Sequence, residues 1–105
     1  MNAAGSDLAV SRRVVVDVVR LAAAETPGIL RVGRTARWRR LVGGRAIDAR
    51  VDDGSVSVTI HVVARAGVSL PATAEGVRTA VASAIQRVLG LTVGSVTVIV
   101  DGVRG

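Results

Sequence analysis

Apolar and polar positions along the chain group it into six elements. From Arg12 to Glu25 the spacing is helical, with Val14, Val15, Val18, Val19 and Ala22 on one face and Arg13, Asp17 and Arg20 on the other. Ser11 is placed to cap its start and Pro27-Gly28 to stop it. Val16 falls on the polar side, either an ordinary exposed valine or the mark of a partner surface. Ile29 to Val32 reads as a short strand. Ile47 to Asp52 alternates, with Ile47, Ala49 and Val51 on one face. Asp53-Gly54 then signals a two-residue hairpin turn. That turn opposes Val51 to Val56, Ala49 to Val58 and Ile47 to Ile60, so every apolar residue meets an apolar one.

The partner strand runs from Ser55 to Arg65. Its inward set is Val56, Val58, Ile60, Val62 and Ala64; its outward set is Ser55, Ser57, Thr59, His61, Val63 and Arg65. Leu70-Pro71 opens a second helix reaching about Leu89, with Leu70, Ala74, Val77, Val81, Ala84, Ile85 and Val88 as its stripe and Gly90 as its cap. Ser95 to Asp101 is the last strand, with Val96, Val98 and Val100 inward and Thr97 and Ile99 outward. The order α-β-β-β-α-β predicts an α+β two-layer sandwich, a mixed sheet with two helices on one face and the other face open to water. The strand from Ser55, the second helix and the last strand form a βαβ unit, so those two strands are expected to be parallel.

The whole fits one domain of 105 residues: a loose tail over 1–10, then a single unit over 11–104. Val contributes 22 residues and Ala 16, while Phe, Tyr and Cys are absent, so the core is built of small and β-branched side chains. The longest stretch without charge, Val88 to Val100, is broken by Gly90 and Gly94 and is too short to cross a bilayer. The first 13 residues include Asp7 and lack a signal-peptide core, which predicts a cytoplasmic protein.

Charge changes the picture at one place. All 14 basic residues are Arg, against 8 acidic ones, for a net +6. Arg31, Arg34, Arg37, Arg39, Arg40 and Arg45 fall within 15 residues that hold no carboxylate, and the rest of the chain is neutral. Gly33 and Gly43-Gly44 bracket this stretch as a basic loop over 33–45. It reads as a contact for something acidic or as a solvated loop. Trp38, the sole aromatic, sits inside it, either folded back over the core or offered to a protein, a lipid surface or a base. The contact set is Arg34, Arg37, Trp38, Arg39, Arg40 and Arg45. On the open sheet face, Thr59, His61, Val63, Thr97 and Ile99 form a candidate surface for self-association.

Catalytic chemistry finds little footing. Without Cys there is no thiol nucleophile or Cys-metal site, and a single His removes multi-His zinc sites. His61 is expected mid-strand with no carboxylate placed to orient it, as an ordinary surface histidine. Asp52 and Asp53 are turn residues. There is no Gly-rich phosphate loop, and strands without aromatics cannot stack bases. No catalytic residue, metal or cofactor is expected. A small basic nucleic-acid-binding module is the second reading of the same arginines, and nucleic acid is the less favoured partner.

The second half carries motifs with a family resemblance. V-S-V-T-I-H-V-V-A-R-A-G-V-S-L-P (Val56 to Pro71), an amphipathic helix, then L-T-V-G-S-V-T-V-I-V-D-G-V-R (Leu91 to Arg104) resembles the alkaline shock proteins, also called Gls-type envelope stress response proteins. The A-A-A-E-T-P-G-I run (Ala22 to Ile29) resembles the same family, and the resemblance extends over about Val10 to Arg104. It implies a non-enzymatic, self-associating cytoplasmic protein of Gram-positive bacteria, collected at the inner face of the membrane by a separate membrane-anchored partner. The Arg-rich stretch with its Trp departs from the family pattern and leaves room for direct contact with anionic lipid.

Overall fold

The computed structural model describes residues 9–35 and 44–105. Most of the expected tail, and Arg37, Trp38, Arg39 and Arg40, lie outside the described residues. Among the described residues, two helices pack on one face of a mixed four-stranded sheet. The elements are α1 (Arg12–Ala24), β1 (Ile29–Val32), β2 (Ile47–Asp52), β3 (Ser55–Arg65), α2 (Leu70–Ala84) with a following π turn (Ile85–Leu89), and β4 (Thr92–Arg104). The Ser11 and Ser69 hydroxyls cap the helices by accepting from the Val14 and Ala72 amides.

β3 is the spine of the sheet. On one edge it pairs with β4 in parallel, as a βαβ crossover requires. Its other edge is shared by β1 and β2, both antiparallel to it. The hairpin has the register set by its turn, from Asp52 against Ser55 to Ile47 against Ile60, with φ positive at both Asp53 and Gly54.

β1 and β2 run in the same direction and end to end. Val32 pairs with Val62 and Ile47 with Ile60, which leaves His61 at the join. The Gly33 amide donates to the His61 carbonyl, and the His61 amide donates to the Ala46 carbonyl. One ladder position is therefore split between Gly33 and Ala46. The pair behaves as a single edge strand into which the basic arm is inserted.

The core is a thin aliphatic layer. Val15, Val19 and Ala23 of α1 and Val77, Val81 and Ile85 of the second helix meet Ile47, Val56, Val58, Ile60 and Val62 of the sheet, all essentially without exposure. The line α1 buries differs from the expected stripe: Val14 is exposed, Ala23 is buried, and Val16 packs against the core. Apolar residues occupy most of the α1 circumference, so periodicity alone leaves the contact line open. On the second helix, Val88 is 64% exposed instead of buried. The π turn fits one extra residue into the last turn, which carries Val88 outward and packs Leu89 against the core.

β4 is longer than the expected Ser95 to Asp101. Its 13 residues lie beside the 11 of β3, and two bulges take up the difference, at Gly94 and at Asp101. Beside the second bulge lies Val63, expected exposed on the open face but fully buried. Its strand partners are Arg31 and Gly102, and Thr35 lies so close over Gly102 that a Cβ there would sit 3.1 Å from its methyl. The start of the arm covers this end of the sheet, so the outer face is not bare throughout.

Candidate functional site

The arm leaves and rejoins the sheet beside His61, and polar groups converge there. His61 projects outward from β3, opposite Ile99 of β4. Asp101 lies two residues beyond Ile99 with the same outward direction, in the bulge. Its Oδ1 is 2.8 Å from His61 Nδ1. An ionised carboxylate only accepts, so Nδ1 carries the proton and Nε2 is the ring's remaining hydrogen-bonding atom. Asp101 Oδ2 is 3.6 Å from Arg34 Nε. All three side chains are largely buried, with 6% exposure at Asp101, 15% at His61 and 14% at Arg34. This corrects the expectation that no carboxylate orients His61.

Gly44 completes the clamp. A Cβ on Gly44 would sit 2.5 Å from Arg34 Nη1, and its φ of +96° lies where side chains are strained. The guanidinium that opens the arm thus lies against the backbone that closes it. Beside this clamp Arg34, Arg45, Asp48, Thr59 and His61 line an open cavity of about 400 Å³. Asp48 is already engaged, with Oδ1 3.0 Å from Arg12 Nη2, and Arg12 Nε also donates to the Ala49 carbonyl at 3.0 Å. Arg12 therefore reaches around the edge strand from α1 and neutralises the exposed carboxylate.

Of the expected contact set, Arg34 and Arg45 stand together at the root of the arm, while Arg37, Trp38, Arg39 and Arg40 lie outside the described residues. Of the expected self-association face, Thr59, Thr97 and Ile99 remain accessible, His61 is mostly covered, and Val63 is removed by burial. Sequence reasoning misses Asp101 because it stands at the expected end of the last strand. The parity of β4 holds the signal: with Val58 beside Val96, a residue two beyond Ile99 faces outward next to His61.

A second feature lies on the helical layer. Val18, Leu21 and Ala22 of α1 and Ala80, Ala84 and Val88 of the second helix flank an open groove of about 900 Å³. Leu21 and Val88 are each more than three-fifths exposed. Among the described residues, no group of three or more His, Asp and Glu is placed to hold a metal ion. No helix among them is long and apolar enough to cross a membrane.

Comparison with known proteins gives a family and a fold. The model of the alkaline shock protein family, described as having a cell envelope-related function, matches residues 1–105. No curated protein matches the sequence. Among solved structures, a MamM CTD variant in a manganese form superposes with a TM-score of 0.64 at 18% identity, covering 88% of this chain and 99% of that one. Another, in a copper form, gives 0.64 at 17% identity, over 88% of this chain and 98% of that one. At such identities the likeness is one of fold.

Proposed function

The chain belongs to the alkaline shock protein family, of cell envelope-related function, and from that premise we propose that it is a non-enzymatic interaction protein docked at the inner face of the membrane by its basic arm. One observation carries this reading. The surplus of positive charge is concentrated in a segment inserted into an otherwise continuous edge strand, opposite a single residue. A segment so placed can vary without disturbing the ladder, which is how a fold carries a recognition element. Arg34, Arg37, Arg39, Arg40 and Arg45 supply the charge and Trp38 the apolar anchor, and the occupant is an acidic membrane-anchored protein. Thr59, Thr97 and Ile99, on the part of the outer face left open, provide the surface through which copies associate into a homo-oligomer.

Cell fractionation in the native host tests the docking. The full chain is expected in the membrane fraction and released by high salt, since exposed charge contacts are screened. The variant R37A/W38A/R39A/R40A keeps the root of the arm and is expected in the soluble fraction. A wild-type protein found only in the soluble fraction, or a variant that stays with the membrane, overturns the reading.

A further inference from the structure

We infer that the root of the arm is a binding site for a phosphate group. The inference goes beyond envelope docking, since it concerns the cavity beside His61 and requires neither the outer part of the arm nor a membrane. One strand, β3, and both ends of the arm bring donors to one place. Arg34 and Arg45 line the cavity with guanidinium groups, Thr59 brings a hydroxyl, and His61 brings its ring. A phosphate offers acceptors in several directions, and planar guanidinium forks match its oxygens.

The carboxylates are arranged so as not to oppose this. Asp101 is 6% exposed and faces His61 and Arg34, not the cavity that those two line. Its hydrogen bond to Nδ1 fixes the ring, leaving Nε2 to accept from a singly protonated phosphate or, as imidazolium, to donate to it. Asp48 lines the cavity, but its charge is matched by Arg12 at 3.0 Å. With neutral His61, the two cavity arginines and Arg12 outweigh Asp48 and Asp101 by one positive charge. A cation is disfavoured by this balance. A carboxylate ligand presents its acceptor sites in one plane, whereas the oxygens of a phosphate point in the several directions from which these four groups converge. Arg34 is held in place by its ion pair with Asp101 and by the close backbone of Gly44, so the site is organised before a ligand arrives.

The phosphate could be free or carried on a lipid headgroup, and the test separates the two. The full chain is titrated by calorimetry with inorganic phosphate at constant ionic strength, with chloride as the control, and the His61 ring is followed by nuclear magnetic resonance. Saturable binding that shifts the ring resonances is expected with phosphate and not with chloride. R45Q and H61Q, each checked for a native dispersed spectrum, should weaken binding by about tenfold, the loss expected of one charge-assisted hydrogen bond. D48N should tighten it, because a negative charge leaves the cavity wall. R37A/W38A/R39A/R40A should bind phosphate as the wild type does, so failure of membrane docking and failure of this site are distinguishable. Vesicles of phosphatidic acid in phosphatidylcholine are the second arm: binding that free phosphate displaces assigns the headgroup, and phosphate binding without vesicle binding assigns a soluble phosphate. A non-saturating response, an equal response to chloride, or affinity unchanged in folded R45Q and H61Q overturns the site.

Discussion

Asp101 organises the polar end of the outer face, and its contribution can be measured apart from any ligand. The carboxylate accepts from His61 and pairs with Arg34 while almost wholly covered, so removing it takes this counter-charge from a largely buried guanidinium. D101A should lower stability by about 2–3 kcal/mol, above the range of exposed ion pairs. D101N should cost less, because its carbonyl still accepts from Nδ1 while the ion pair is lost. Urea unfolding of the two variants gives the comparison, and a D101A cost under about 0.5 kcal/mol would place the cluster among surface pairs. Gly28 makes a second residue-level case. Its φ is +91°, and a Cβ there would lie 2.7 Å from the Thr73 hydroxyl oxygen, on a side chain that is itself buried. G28A therefore meets backbone strain and a close contact together and should cost about 2 kcal/mol in the same assay. The Pro27-Gly28 signal shows in the sequence as a helix stop. That Thr73 comes close enough to exclude a methyl group does not show, because it depends on how two helices meet.

The elements themselves are largely legible in the sequence, and the places where reading fails have physical causes that periodicity does not carry. The hairpin is fixed to the residue, because Asp53-Gly54 and the alternation of Val51, Ala49 and Ile47 constrain the same register independently. The parallel pairing of β3 and β4 follows from the helix between them. What a strict period cannot foresee is an inserted residue. The bulge at Asp101 and the π turn at Ile85–Leu89 each add one residue to a regular repeat, and after each of them the inward set shifts. For this reason a strict period misplaces Val88, expected buried and found exposed, whereas Val63 keeps its expected outward direction and is buried under the start of the arm. The π turn gives a sharp comparison. A regular helix continuing from Val81, Ala84 and Ile85 would bury Val88, whereas the observed turn packs Leu89 against the core. L89A should therefore cost about 1.5 kcal/mol and V88A under about 0.5 kcal/mol in thermal unfolding. The opposite ranking would mean that the helix closes with ordinary α geometry. The candidate site is legible only in part: the arginines announce themselves by density, but their convergence on His61 needs the split ladder position.

For the molecule as a whole, the tandem edge strand separates what folds the chain from what the chain offers to others. Gly33 already donates to the His61 carbonyl, and Ala46 already accepts from its amide. Excising residues 34–46 lets Gly33 make both bonds and puts Ile47 next in line, still opposite Ile60. Five arginines and no carboxylate leave with that segment, which takes the net charge from +6 to +1. Shortening the connection recovers roughly 2 kcal/mol of loop-closure entropy. Against this stand the loss of the Arg34 pair and of Thr35 from over Gly102, so the excision is best combined with D101N, which leaves no buried carboxylate behind at the join. The combined variant should stay monodisperse and folded, within about 2 kcal/mol of the wild type, while losing both membrane fractionation and phosphate binding. Circular dichroism and thermal unfolding read the first result, and fractionation and calorimetry the second. A variant that fails to fold would show that the excised segment supplies part of the core, and would return Trp38 to the role of a lid on a thin valine layer. A variant that folds yet still binds the membrane would move the docking surface to the helical groove around Leu21 and Val88.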